Sequence, residues 1–342
     1  MSTQQKISFK NDYAELCQET ILEDLLKISR KQFVGYGLDS IGEQAKKEIS
    51  RHFSLNNVDI HFFTSGTQTN AIFINSVLKP FEAVIATDTA HISVHETGAI
   101  EHNGNKIVVA PNADGKILVS DIQRLCEIHS NEHMVRPRMV FISQSTELGT
   151  IYSKQELQTI YKACKKLNLY LYIDGARLGS ALTSLQTDIK KQEYKDLCDA
   201  FYIGGNKNGS LIGEALIIIN NNLKADFRFH MKQKGALVSK GYLLASCFNT
   251  LFKDNLFFDL AKHANEMAQK MRLGMIAKGY KMSSNSSTNM FFPIVPNETI
   301  IKLQKQFDFY VIEKHDETSS VIRLICSWAT CEGEVEKFIS LL

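Results

Sequence analysis

Between residues 58 and 219 one pattern recurs: a short apolar run, a turn, then a helix-like segment. Runs at 58–64, 84–87, 106–110, 139–143, 170–173, 200–203 and 215–219 read as strands. Segments 67–78, 93–101, 121–131 and 153–167 read as helices. Ser153 followed by Glu156 forms a capping-box pattern. Ser120 or Asp121 is the expected cap of the segment before it. Strands that alternate with helices predict βα units, hence an α/β fold with a mainly parallel sheet between helices. Beyond 241 the pattern changes. Residues 241–279 read as one long helix, 290–295, 309–312 and 321–326 as strands with a helix between them, and 332–342 as a helix. The boundary falls near 250. Residues 1–250 then form a large domain with an N-terminal arm, and 251–342 a small C-terminal α+β domain.

Bulk properties exclude several classes. With 342 residues, 44% of them hydrophobic, the chain can bury a sizeable core. Its 39 basic and 37 acidic residues nearly balance, so no nucleic-acid partner is expected. The first sixteen residues hold no apolar core of a secretory leader. No apolar stretch reaches the roughly 18–20 residues of a membrane span. The 7 cysteines include no CxxC pair, which suits reduced thiols in the cytoplasm.

In open α/β sheets, ligands bind beyond the carboxyl ends of the strands. Ser65-Gly66-Thr67 ends the first strand and opens a helix. Free N–H groups there favour an anion such as phosphate, although the same residues make an ordinary N-cap. The turn is neither a Walker loop nor a dinucleotide fingerprint. Asp174 follows the apolar run LYLYI. A carboxylate there can hold a cationic ring nitrogen, or it can cap the next helix. Arg177 offers a fork for a carboxylate, or a partner for Asp174. Lys207 sits in GGNKNG, where low bulk lets a ligand approach and can desolvate the amine; the same residues also suit a solvated turn. His91, His95 and Glu96 read HxxxHE rather than the zincin HExxH, so no metal is expected. An imidazole stacked on a flat ring is the sharper reading of His91.

Five segments together carry a family resemblance: TSGTQTN (64–70), AHISVHETGA (90–99), QSTELGTIYS (144–153), YIDGARLG (172–179) and GGNKNG (204–209). They resemble the pyridoxal-phosphate (PLP) fold-type-I threonine aldolases of the aromatic amino acid β-eliminating lyase and threonine aldolase superfamily, with the bacterial low-specificity branch as the nearest pattern. The resemblance runs from about Asn11 to Arg323. It implies a PLP-binding large domain, with Lys207 in a Schiff base to the cofactor and Asp174 on the pyridine nitrogen. His91 would stack on the ring, and Ser65, Gly66 and Thr67 would cradle the phosphate. Arg177 and Arg323 would hold the substrate carboxylate, and His95 would line the substrate site. Tyr36 and Asp39, in GYGLDS, resemble a loop that reaches a neighbouring subunit's site, so a homodimer or homotetramer with composite sites is implied. Where many relatives carry a histidine, this chain has Thr146-Glu147, which makes Glu147 a candidate base or water-holder. The implied activity is retro-aldol cleavage of L-threonine, L-allo-threonine or related β-hydroxy-α-amino acids to glycine and an aldehyde, by a cytoplasmic enzyme with a small amino-acid substrate. β-Elimination, transamination and a non-catalytic PLP-binding role remain the alternatives.

Overall fold

A computed structural model describes residues 6–342. Residues 1–5 of the segment read as lacking a leader lie outside the described residues. A seven-stranded sheet forms the centre, in the spatial order Asp59–Phe63, Glu214–Ile218, Ala200–Gly204, Tyr170–Asp174, Arg136–Ser143, Glu82–Thr87, Lys106–Ala110. Neighbouring strands are parallel except where Glu214–Ile218 runs against both of its partners. The central strands are apolar throughout because both faces are covered. Val140, Ile142, Leu171 and Ile173 point to one core with Phe53, Leu157 and Phe252. Met139, Phe141 and Tyr172 alternate to the other, with Phe73 and Phe227.

The expected Ser153–Glu156 capping box is formed, at the start of the helix Lys154–Lys166. The segment 121–131 is helical at Val119–Ile128, with Leu118 at its N-cap and no side-chain cap. Two expected helices are each divided. Segment 93–101 becomes His91–Val94 and Ala99–His102, because Thr97 and Gly98 take φ of 52° and 72°. Segment 241–279 becomes Tyr242–Lys253 and Leu256–Ala277. Asp254 leaves the helical region at φ −117° and ψ −134°. Asp and Asn are poor helix formers, and the break falls at the Asp254-Asn255 pair. Among the described residues, no helix is long and apolar enough to cross a membrane.

The C-terminal part carries a small antiparallel sheet in which Ser319–Ile325 pairs with Ile294–Pro296, Tyr310–Lys314 and Met290–Phe291. Its core includes Phe291, Phe307, Leu324 and Phe338. The N-terminal arm belongs to this core as well. Ile7–Ser8 pairs in parallel with Phe307–Asp308, and the Phe9 ring lies 5.8 Å from that of Phe307.

Two strand ends set the position of the site. The chain turns at Gly175 after one strand and at Gly204 at the end of its neighbour. Gly204 N–H donates to the Gly175 carbonyl at 2.9 Å. A Cβ on Gly175 would overlap the Tyr202 carbonyl, and a Cβ on Gly204 would overlap that of Ala176. The turns bearing Asp174 and Lys207 therefore interlock only because neither glycine has a side chain. Gly204→Ala should destabilise the fold by about 1–3 kcal/mol through overpacking. Chemical denaturation measures this, and a wild-type midpoint would show that the interlock tolerates bulk.

Candidate active site

A cleft of about 890 Å³ opens at the carboxyl ends of the strands. Ser65, Gly66, Thr67, His91, His95, Glu147, Asp174, Arg177, Lys207 and Arg323 all line it. Tyr36 does not border this cleft. It sits on an exposed turn at φ 61°, and its carbonyl accepts from Arg228 Nη2 at 2.9 Å. Asp39 caps the helix Ser40–Phe53, accepting from Gly42 N–H at 2.7 Å.

Ser65 is the N-cap of the helix Gly66–Val77. Its Oγ accepts the Gln68 N–H at 3.3 Å and its carbonyl the Thr69 N–H at 3.0 Å. The N–H groups of Gly66 and Thr67 have no intrahelical acceptor at a helix start, and both residues border the cleft. Ser65 is thus a cap, at a helix start whose free N–H groups face the cleft and suit an anion. A Cβ on Gly66 would stand 2.8 Å from the Tyr202 hydroxyl, so backbone lines the cleft at this point.

Asp174 is buried. Its Oδ1 accepts from Ala176 N–H at 2.9 Å and its Oδ2 from Asn70 Nδ2 at 3.0 Å. The following short helix, Leu178–Leu182, has no side-chain cap. Above it in sequence, His91 places Nδ1 2.8 Å from Glu96 Oε1. The His95 ring centroid lies 5.5 Å from that of His91. Burial, with the charges of His91, Arg323 and Lys207, pushes His95 down and favours its neutral form.

The loop of Lys207 is built by polar bonds rather than by solvent. Asn206 Nδ2 donates to the Thr64 carbonyl at 3.1 Å and to Glu214 Oε1 at 2.8 Å, while its Oδ1 accepts Gly213 N–H at 2.7 Å. Gly205 N–H donates to Glu214 Oε2 at 2.9 Å. Burial pushes Lys207 down, with Arg177 adding, against the attraction of Asp12, Asp174 and Glu214. Burial likewise pushes Glu214 up, against Lys207. A buried amine of this kind is neutral and nucleophilic at lower pH than a surface lysine.

Arg177 pairs with Asp12 rather than with Asp174. Its Nε and Nη2 reach the two Asp12 oxygens at 2.7 and 3.0 Å, and Asn289 Nδ2 adds a third bond at 3.0 Å. Burial alone would raise the Asp12 pKa, but the charges of Arg177 and Lys207 outweigh it and hold the carboxyl low. Arg323 is less engaged: Nη2 lies 3.5 Å from the Lys10 carbonyl and Nε, buried, has no partner among the described residues. Glu147 is also buried. Its Oε1 accepts from Ser143 Oγ at 2.6 Å and from His91 N–H at 3.0 Å. Burial pushes its carboxyl up against the Ser143 bond, and the Asp174 charge adds to the rise.

A phosphorylated, aldehyde-bearing aromatic ring fits this donor set. Two N–H groups at a helix start suit its phosphate, a carboxylate suits its ring nitrogen, an imidazole its face, and a desolvated amine its aldehyde. Sequence reasoning missed Asp12, Asn70, Glu96, Asn206 and Glu214 as parts of this arrangement. Asn70, Glu96 and Asn206 lay inside the quoted motifs, whereas Asp12 meets Arg177 only through the fold.

Arg177→Leu would strand the buried Asp12 carboxylate, at a cost of about 3–5 kcal/mol. Asp12→Leu combined with Arg177→Leu should recover most of that loss. The folded Asp12 pKa lies below its unfolded value, so the pair's contribution is present above about pH 3.9. It is lost as pH falls through the lowered value. Denaturation of the single and double variants measures both effects, and equal stability of the two would contradict the pairing.

The beta-eliminating lyase family profile matches residues 35–297. The structure of Leishmania major threonine aldolase superposes with a TM-score of 0.96, at 45% identity, covering 98% of each chain. The low specificity L-threonine aldolase of Pseudomonas sp. (strain NCIMB 10558) is 29% identical over 98% of this chain and 96% of its own length. That of Pseudomonas aeruginosa is 29% identical over 94% and 92%. With the cleft built as described and these likenesses spanning nearly the whole chain, the protein belongs to the beta-eliminating lyase family, in its threonine aldolase branch.

Proposed function

We propose that the chain is a PLP-dependent aldehyde-lyase that cleaves L-threonine, and related β-hydroxy-α-amino acids such as L-allo-threonine, to glycine and an aldehyde. The convergence of Lys207, Asp174, His91 and the Ser65–Thr67 helix start on one cleft carries this reading. The likeness to threonine aldolases selects the reaction among those such a cleft could serve.

When bound, PLP supplies an electron sink for the pair left on Cα as the Cα–Cβ bond breaks. The residues supply the rest. Lys207 offers the neutral amine that holds the cofactor. Asp174 would hold the ring nitrogen in its protonated form. Ser65, Gly66 and Thr67 bind the phosphate, and His91 covers one ring face. Arg323, with its buried Nε unpaired, takes the substrate carboxylate. Arg177, with Nε and Nη2 committed to Asp12, adds charge and its remaining edge. Holding the carboxylate would fix the orientation of the substrate and so choose which bond at Cα is broken. His95 borders the substrate's side of the cleft. Glu147 takes the β-hydroxyl proton: its raised pKa makes it a stronger base than an ordinary carboxylate.

We also infer an oligomer of two or four copies in which Tyr36 completes a neighbouring site. Its exposed turn, outside its own chain's cleft, supports this. The seven free cysteines fit a cytoplasmic setting. In this reading residues 1–250 are the PLP-binding domain and 251–342 the smaller lobe.

Lys207→Ala should remove the yellow colour of the purified protein and all aldehyde release from L-threonine; a coloured variant with full turnover would sink the assignment. Glu147 must be ionised to act, so kcat should climb as pH rises through a value above the usual carboxylate range. Glu147→Gln should lower kcat by about 10²–10⁴ and flatten that climb. Stopped assays of glycine formation across pH read both, and an unchanged profile would exclude Glu147 as the base.

A further inference from the structure

Asn70 occupies an unusual place between two buried carboxylates. Its Nδ2 donates to Asp174 Oδ2 at 3.0 Å and to Glu96 Oε1 at 2.8 Å. Its Oδ1 accepts from the Tyr172 hydroxyl at 2.9 Å. Asn70, Glu96, Tyr172 and Asp174 are all buried. The amide works in only one orientation. Turned over, its oxygen would face two acceptors, and the Tyr172 hydroxyl would meet a nitrogen with hydrogens. Burial, with the charges of Asp174 and Glu96, pushes the Tyr172 phenol far up, so its hydroxyl keeps its proton and donates.

The network continues to His91. Glu96 Oε1 lies 2.8 Å from His91 Nδ1, while Glu96 Oε2 is buried without a partner. One oxygen of Glu96 thus takes both donors. With Glu96 Oε1 facing it as an acceptor, His91 Nδ1 is the ring nitrogen placed to donate. The path runs from the Tyr172 hydroxyl to the Asn70 amide and ends on two carboxylates, with Asn70 on Asp174 and Glu96 and His91 on Glu96.

We propose that Asn70 is a positioning residue that ties Asp174 and His91 into one unit, so that the carboxylate meant for the ring nitrogen and the imidazole meant for the ring face keep a fixed relation. This rests on the reading of the cleft as a PLP site. The link is a single amide group whose two hydrogens are both spent. Without it, Asp174 and Glu96 are like charges with no donor between them, and the ring of His91 loses the anchor behind its own anchor. Direct contact with PLP is not part of the role of Asn70 or Glu96; each acts through another residue.

The test uses the full chain, with and without PLP. Dissociation constants for PLP are measured for wild type, Asn70→Ser, Glu96→Gln and the double variant. Asn70→Ser should weaken PLP binding about tenfold. Glu96→Gln should matter at least fivefold less in the Asn70→Ser background than alone. An unchanged constant, or effects that multiply to within about twofold, overturns the link. Nitrogen-15 spectra of the histidines in the PLP-free protein, assigned with His91→Asn, give the second measurement. In the neutral ring, wild type should show the His91 proton on Nδ1, and Asn70→Ser should populate the other tautomer. Tyr172→Phe, which keeps the ring and removes only the hydroxyl that orients the amide, should do the same if Asn70→Ser fails to fold. A His91 spectrum unchanged in the folded variants overturns the proposal. If wild type binds no PLP, the cofactor reading fails, while the PLP-free spectra still decide whether the lock exists.

Discussion

The contact between the turns at Gly175 and Gly204 governs everything else in the cleft. Asp174 leaves one strand and Lys207 follows the next. The N–H of Gly204 reaches the Gly175 carbonyl at 2.9 Å. A side chain on either glycine would overlap a neighbouring carbonyl. Packing two backbones this closely excludes water from the space between them. It also fixes the separation of an acid and an amine that are far apart in the chain. A sheet edge or a flexible loop could not hold that separation, because loops move more than the elements they join.

Excluding water has an electrostatic consequence. Asp12, Asp174, Glu96, Glu147, Glu214, Arg177 and Lys207 are brought near one another with little solvent to screen them. Charges in such surroundings survive only when paired or hydrogen-bonded. The structure meets this with a bidentate ion pair at Arg177, with two donors on Glu147 Oε1, with Asn206 and Gly205 on Glu214, and with one shared amide on Asp174 and Glu96. Where compensation is incomplete the protonation balance moves, as at Lys207 and Glu147. These are the two groups to which the proposed function gives an attack on carbon and a proton transfer, so the same desolvation that costs the fold would equip the site.

The sheet and the strand-end residues were legible in the sequence because both follow from local rules: apolar runs of strand length, turn residues after them, and a ligand site beyond their carboxyl ends. Ser65, Asp174 and Lys207 fall where that logic puts them. Asp12 was not legible, since its partner Arg177 is 165 positions away and the residues around it form no regular element. Glu214 was hidden as the first residue of a reversed strand, although it meets the Lys207 loop across a hairpin. The long helix expected at 241–279 failed for a simpler reason. The apolar pattern runs on across Asp254-Asn255, two poor helix formers, and the first segment ends where Asp254 leaves the helical region. Tyr36 was placed by resemblance alone, and one chain by itself gives it no partner in the cleft.

The N-terminal arm has a consequence for the order in which the molecule can assemble. Ile7–Ser8 lies along Phe307–Asp308, and the Arg323 guanidinium reaches the Lys10 carbonyl across 313 positions. Farther along, Gln18 N–H bonds the carbonyl of Gly209 in the Lys207 loop at 2.9 Å. A belt made early in synthesis therefore fastens to strands made near its end. Contacts of such long range form late, because the entropy of closing the intervening chain is lost before they repay it. The central sheet can gather while the chain is still emerging, but the arginine pair that lines the cleft is completed only when the last strands close over the arm. Nascent chains would thus carry Asp174 and Lys207 before the arginine side of the cleft exists.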